Sequence, residues 1–263
     1  MNKSKVEKVN FYSEKLGKEM AILVYLPNCY NSLIPLPVLY FLHGRSGNED
    51  IMFELKINTK ADQMIKDKEI KPMIIVCPRI ENSRGLNSSL IYKEMPEHGN
   101  NNRIINLGMY EDYFMKEIVP LIDKTFNTIK DRKGRYIGGL SAGGYIALHN
   151  TFRHQHMFSK VGGHMPALEL ELEDEDKLYY KDMDVWDRYN PIHIARKSNI
   201  SYDVQVYLDA GDKDEGRFYE GCSILHKILI GKGINSQNYI FAGNHNGKYI
   251  KSNLGKYLKF YGS

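Results

Sequence analysis

With 263 residues, 42% of them hydrophobic and 26% charged, the chain is long enough to bury one large core, and a single domain is expected. The formal net charge of +4 is small and dispersed, and no basic block is interleaved with aromatics, which argues against nucleic acid as a partner. Cys29, Cys77 and Cys222 are far apart, odd in number and without CxxC spacing; they exclude a disulfide framework and read as ordinary core thiols of a reducing compartment.

From the amino terminus, Met1 to Lys18 is polar and charged where a secretory signal needs about 7–15 apolar residues. Nowhere does the chain approach about 18 uninterrupted apolar residues. A cytoplasmic protein with no membrane partner is therefore expected, and neither an internal repeat nor a proline- or serine-rich linker is visible. Two β-rich runs, Val6 to Tyr12 and Glu19 to Leu26, precede Pro37 to Leu42, a third strand ending at His43-Gly44. Thr59 to Lys68 suits a helix. Met73 to Cys77, stopped by Pro78, is a continuous apolar run typical of a strand buried on both faces. Residues 79–107 are rich in Asn, Ser and Gly with weak periodicity, and predict a long functional loop over a site.

Apolar residues recur at helical spacing from Gly108 to Phe126, and a short strand through Tyr136-Ile137 follows directly. Beyond Ser141 another helical pattern begins. Phe158 to Gly163 is a strand candidate. Residues 165–190, acid- and aromatic-rich above all from Ala167 to Asn190, break the alternation and predict an inserted cap. Asp203 to Asp209, Gly216 to Ile230, Asn238 to Phe241 and Lys248 to Tyr261 then read as strand, helix, strand and helix. The whole predicts an α/β fold with a mostly parallel central sheet and helices on both faces.

Chemistry concentrates at Gly139-Leu140-Ser141-Ala142-Gly143, a G-x-S-x-G pattern between a strand and a helix. A serine on such a turn takes a strained backbone and exposes its hydroxyl, and the flanking glycines remove side chains that would collide with the turn. An elbow serine needs a base and an acid to orient it, in the chain order serine, acid, histidine. Asp212 and Asp214 follow one strand and His245, between Gly243 and Gly247, follows the next. Both lie past carboxyl ends of strands, where ligands gather in open α/β sheets. The acid is open between Asp212 and Asp214, with Asp214 favoured. Donors for an oxyanion fall on the backbone N–H groups of Ala142 and Arg45, the latter in the His43-Gly44-Arg45-Ser46-Gly47 turn.

His43 and His164 sit at strand ends and are candidates to line the pocket. Trp186, with Tyr179 and Tyr180, lies in the insertion and can present flat apolar surface to an acyl group or sugar, or pack the insertion onto the core. His154 and His156 are two apart without nearby carboxylate or cysteine partners, so no metal is assigned to them. The acidic run Glu169 to Asp176 reads as a solvated face. With no glycine-rich phosphate loop and no dinucleotide fingerprint, no cofactor is expected.

Taken together, Val24-Tyr25-Leu26-Pro27, Leu39 to Gly44, Tyr110 to Tyr113 with Glu117 to Pro120, Gly139 to Gly144, Gly211 with Asp214, and Gly243-Asn244-His245 resemble an esterase family. Its members include esterase D (S-formylglutathione hydrolase), tributyrin esterases, feruloyl and acetylxylan esterases, and mycolyltransferases. The resemblance spans nearly the whole chain. It implies an α/β-hydrolase fold and a serine carboxylesterase acting through an acyl-enzyme, with the family's serine on Ser141, acid on Asp214, histidine on His245 and oxyanion donors on Arg45 and Ala142. Small acetyl, short-chain or feruloyl esters, including those on sugars, are the expected substrates. An S-formylglutathione-type thioesterase, or an inactive hydrolase fold that binds a ligand through the insertion, are the alternatives.

Overall fold

Five consecutive residues, β3 (Val38–Leu42), are all buried, which in a strand requires cover on both faces. Val38, Tyr40 and Leu42 enter one core and Leu39 and Phe41 another, so the strand separates two layers. The computed structural model describes residues 3–31, 33–97, 100–201 and 203–263. Met1 and Asn2 of the amino-terminal stretch, and His98 and Gly99 of the 79–107 segment, lie outside the described residues.

Among the described residues, eight strands form one sheet in the order β1-β2-β4-β3-β7-β8-β9-β10. These are β1 (Lys5–Ser13), β2 (Lys18–Leu26), β3, β4 (Ile74–Pro78), β7 (Arg135–Leu140), β8 (Lys160–His164), β9 (Gln205–Gly211) and β10 (Asn235–Phe241). Pairing is antiparallel for β1 with β2 and for β2 with β4, and parallel from β4 to β10. One face is covered by α2 (Ile57–Lys66) and α9 (Gly247–Gly262), which bury Ile57, Ala61, Met64, Leu254 and Leu258. Over the other lie α4 (Val119–Thr125), α5 (Ala142–Arg153), α7 (Pro191–Lys197) and α8 (Phe218–Gly231), which contribute Ile122, Leu148, Ile192 and Leu225. Short helices α1 (Ile51–Glu54), α3 (Tyr110–Asp112) and α6 (Met183–Tyr189) complete the set, with a π-helical stretch, Tyr113–Ile118, joining α3 to α4.

The predicted long loop over 79–107 is in part a hairpin, β5 (Lys93–Glu97) against β6 (Asn100–Leu107). Its composition hides it, since only alternate residues of β6 are apolar and buried: Ile105 and Leu107 are covered while Ile104 is exposed. Those two side chains pack with Tyr179, Tyr180, Trp186 and Tyr189 of the 165–190 region in a third apolar cluster. That region holds a 3-10 segment, Asp174–Tyr179, and then α6. Helix α7, which begins at Pro191 after the Asn190 cap, had no clear periodic signal in its seven residues. Cys77 and Cys222 are core thiols as expected, whereas Cys29 is exposed.

Asp209 on β9 ties the last helix to the sheet. Wholly buried, it accepts hydrogen bonds from Tyr249 (2.7 Å) and Tyr257 (2.8 Å) of α9 and lies 3.0 Å from His164 Nδ1. Removing the carboxylate strands two hydroxyls and an imidazole in the core. Asp209→Ala is expected to lose about 3–5 kcal/mol of stability, read as a lower denaturation midpoint with an unchanged slope in urea.

Candidate active site

The connection after β3 runs to β4 on one side, while the connection after β7 runs to β8 on the other, so a crevice opens where β3 and β7 end. Ser141 stands at that point. Its φ of 53° and ψ of −119° lie in a strained region for a residue with a side chain. The strain is held by three backbone hydrogen bonds: Ser141 N donates to His164 O (3.0 Å), and Ser141 O accepts from Ala167 N (3.0 Å) and Tyr145 N (3.1 Å). A Cβ at Gly139 would come 2.6 Å from Leu42 O, and one at Gly143 2.4 Å from His43 O. Only glycine lets the start of α5 lie this close to the end of β3.

His245 arrives from the turn after β10 and Asp214 from the turn after β9. His245 Nε2 is 3.0 Å from Ser141 Oγ and Nδ1 is 2.8 Å from Asp214 Oδ2. A carboxylate only accepts, so Nδ1 carries the proton and Nε2 is left to accept from the serine hydroxyl. Asp214 is buried, and its other oxygen accepts from Gly216 N at 2.9 Å. Asp212 is exposed and accepts from Gly243 N at 2.9 Å, which braces the histidine turn instead of the imidazole. Sequence reasoning had no signal for two further neighbours of His245: Glu215 accepts from its backbone N–H (3.1 Å), and the Phe218 ring meets its imidazole edge-on at 5.2 Å.

The turn after β3 packs against the elbow. A Cβ at Gly44 would sit 3.3 Å from Ser141 Cβ, which places Arg45 beside the serine. Among the described residues, the backbone N–H groups of Arg45 and Ala142 donate to no protein acceptor, as donors reserved for a ligand oxygen would.

Of three expected pocket residues, His164 and Trp186 are elsewhere, and His43 has both ring nitrogens engaged within the protein. His43 is buried, with Nδ1 donating to Gly44 O at 2.8 Å and Nε2 accepting from Ile80 N at 3.0 Å, so both ring nitrogens are spent joining the turn to the segment after β4, and its ring lines a small cavity with Arg45 and Ala142. His164 is wholly buried beneath the elbow, between Asp209 and Tyr261 and stacked on Tyr257 at 3.6 Å. Trp186 is buried in the third apolar cluster, which supports its packing role and removes it from the pocket. His154 lies 2.7 Å from Glu111 at the end of α5.

Phe218, whose ring meets His245, also bounds a cleft of about 780 Å³ with Leu168 and Gly216. Its rim carries Glu169, Glu171, Glu173, Asp174, Glu175 and Glu220 against Arg217 alone among the lining residues. Arg84 and Arg45 back Glu169 and Glu175 from behind, and Lys177 pairs with Asp174. The balance at the mouth is negative.

The sheet order, the crevice and the elbow are those of the α/β-hydrolase fold. Residues 13–258 match the family model described as "Putative esterase", and the chain belongs to that esterase family. It is 29% identical over 240 residues to an endo-1,4-beta-xylanase/feruloyl esterase of Xylanibacter ruminicola, covering 87% of this chain and 30% of that protein. The chain spans 30% and 59% of the length of two curated relatives it matches. Among solved structures, a ferulic acid esterase superposes with a TM-score of 0.81 at 24% identity, over 100% of this chain and 99% of the other. An S-formylglutathione hydrolase from Agrobacterium tumefaciens gives 0.79 at 18% identity, over 100% and 96%. At those identities the likeness is one of fold. No helix among the described residues is long and apolar enough to cross a membrane.

Burial holds the His43 pKa down at about 4, against an ordinary 6.5, because a second ring proton would point at the Ile80 N–H. Between those pH values the unfolded chain binds more protons than the folded one, so stability present above pH 6.5 is lost as the pH falls toward 4. The full displacement is worth roughly 3 kcal/mol. His149, buried and lowered to about 3, acts in the same direction. Thermal midpoints measured from pH 7.5 to 4.5 are expected to fall, and to fall less steeply in His43→Gln, whose amide titrates nowhere in that range.

Proposed function

We propose that the chain is a serine carboxylesterase, on the strength of one observation: the continuous hydrogen-bonded line from buried Asp214 through His245 to Ser141 at a strained elbow. Ser141 Oγ attacks the ester carbonyl while its proton passes to His245 Nε2. The tetrahedral oxyanion is held by the Ala142 and Arg45 N–H groups. Collapse expels the alcohol, which takes the proton from His245, and leaves an acyl group on Ser141. Water, deprotonated by the same imidazole, then attacks the acyl-enzyme and releases the acid. Asp214 holds the ring in the required tautomer and stabilises its charged form. No cofactor enters any step.

Small acyl esters of neutral alcohols, acetyl, short-chain or feruloyl, including sugar esters, are the favoured substrates, with the feruloyl esterase relative supporting the aromatic acyl group. The 165–190 segment serves as the cap over the cleft. A thioesterase of the S-formylglutathione type is the second reading, favoured by the likeness of fold to such a hydrolase. The carboxylates at the cleft weigh against it, because glutathione conjugates carry net negative charge. A repulsion of about 1 kcal/mol corresponds to roughly fivefold in rate.

Ser141→Ala is expected to abolish turnover of p-nitrophenyl acetate and methyl ferulate, and to abolish labelling by a fluorophosphonate. Asp214→Asn should lower kcat by about 10³–10⁴, whereas Asp212→Asn should keep most activity. A folded wild-type protein that neither labels nor turns over any ester would leave a binding role instead. For the charge argument, S-acetyl-N-acetylcysteamine and S-acetylglutathione share the acyl group and differ in charge. The neutral thioester should be the better substrate, by a margin that shrinks as salt is raised; the reverse order would favour the glutathione reading.

A further inference from the structure

Arg45 lies in the turn that packs against Ser141 through Gly44, yet its side chain turns outward to the layer above the sheet. Its guanidinium contacts Glu97 of β5 at 3.1 Å and Asp176 of the 165–190 segment at 2.7 Å, with Glu175 at 2.7 Å on the solvent side. Glu97 and Asp176 are 1% and 4% exposed, so both contacts are charge-assisted bonds shielded from water. Each of these carboxylates also has a second guanidinium: Arg103 holds Glu97 at 3.0 Å, and Arg84 pairs with Asp176. The carboxylates are thus fixed without Arg45, and the side chain that depends on the connection is Arg45 itself.

The first half of the turn is held by His43, bonded to Gly44 O and Ile80 N, and the turn closes with Gly47 N to Gly44 O at 3.1 Å; the tip, residues 45 and 46, is held from outside. Ser46 takes a positive φ of 62° and donates its N–H to Asn82 Oδ1 at 2.5 Å. Asn82 is in turn bonded to Ile104 O (2.7 Å) and receives Tyr179 OH on its carbonyl (2.7 Å). Among the described residues, the hydrogen bonds and ion pairs that residues 45 and 46 make outside the turn therefore lead to the hairpin, to the 165–190 segment or to Asn82 between them.

Resting on the esterase reading above, we propose that the Arg45 guanidinium is a positioning group for the oxyanion donor: its bonds to Glu97 and Asp176 fix the peptide plane that carries the Arg45 N–H. The outer layer then sets the catalytic geometry as well as covering the cleft. Removing the side chain leaves Glu97 and Asp176 with one guanidinium each, so the fold persists while the donor drifts.

The test uses the full chain with p-nitrophenyl acetate and a boronic acid that mimics the tetrahedral intermediate. Complete loss of an oxyanion donor lowers kcat by about 10²–10³. Arg45→Ala, which loosens a donor without deleting it, is expected to lower kcat by about 10–100-fold with KM within about threefold, and to weaken boronate binding in parallel. Guanidinium ion at millimolar levels should restore part of the rate, and Arg45→Lys, lacking the planar fork, should fall between alanine and wild type. Glu97→Gln and Asp176→Asn should each lower kcat in the wild type and have little further effect in Arg45→Ala. If Arg45→Ala fails to fold, Arg45→Lys and the two carboxylate variants carry the same comparison. Unchanged kcat and boronate affinity in folded Arg45→Ala overturns the proposal, as does additive loss in the double variants. Wild-type protein without Ser141-dependent ester turnover would sink the esterase reading and this inference with it; an active wild type beside an unaffected Arg45→Ala sinks this inference alone.

Discussion

The contact on which the rest of the site depends is the one with no side chains in it. Gly139 and Gly143 lie against the carbonyl oxygens of Leu42 and His43 at distances where a Cβ would overlap them. That packing fixes the end of β3 against the start of α5, and so sets the separation between the Arg45 turn and Ser141. It also imposes the backbone strain at Ser141, which costs of the order of 1–3 kcal/mol and survives only because the surroundings over-determine it. The His164 carbonyl and the Ala167 N–H on β8 and beyond do that work. A hydroxyl so held cannot retreat into its own backbone, and the imidazole has one fixed partner to meet.

Beneath the elbow the core is polar where a sheet core is usually apolar. His164 and Asp209 face each other across β8 and β9 in register, and three tyrosines of α9 reach this pair. All of these groups are bonded, which is the condition under which a buried polar network rigidifies a core and does not destabilise it. The network sits one strand over from the Asp214–His245 line and shares its residue types, but it is sealed from the crevice. Composition alone cannot separate the two. Position relative to the strand ends does: His164 and Asp209 belong to the strands, while Asp214 and His245 lie three and four residues beyond them.

That distinction also explains what the sequence disclosed. The apolar runs of β3, β4 and β7 and the glycine spacing of the elbow are local signals, and each survived into the structure within a residue or two. Asp214 and Asp212 are chemically equal in the sequence; only the direction of the turn after Gly211, which lies against the Gly243 carbonyl, separates them. The bonds of His43 were not legible because a histidine at a strand end offers the same letters whether its ring nitrogens are free or turned to Gly44 and Ile80. Trp186 was ambiguous because an aromatic that packs an insertion and one that receives a substrate have the same composition. The hairpin was missed for a different reason: β5 carries Lys, Glu and Pro, and the buried apolar side chains of its partner among the described residues are Ile105 and Leu107. Its stability comes from Tyr179, Tyr180, Trp186 and Tyr189, more than 70 residues later, so no window of the sequence contains it.

Two layers with different physics therefore meet at the crevice. The sheet and its helices are held by burial of aliphatic side chains, which is non-directional and tolerant of substitution at constant volume. The hairpin and the 165–190 segment are joined to the turn after β3 by directional groups, Arg45 and Asn82, while Arg84 and Arg103 brace the carboxylates that Arg45 meets. Directional bonds transmit geometry in a way that apolar packing does not, since a guanidinium fork satisfied by two fixed carboxylates has essentially one placement. Glu175, which meets the Arg45 guanidinium on the solvent side, also stands on the acidic rim of the cleft beside Phe218, so the charges that hold the turn and those that face the cleft meet at one residue. A substitution at Glu175 therefore removes charge from the cleft rim and a partner from Arg45 at once, whereas Glu97 and Asp176 bear on the turn alone.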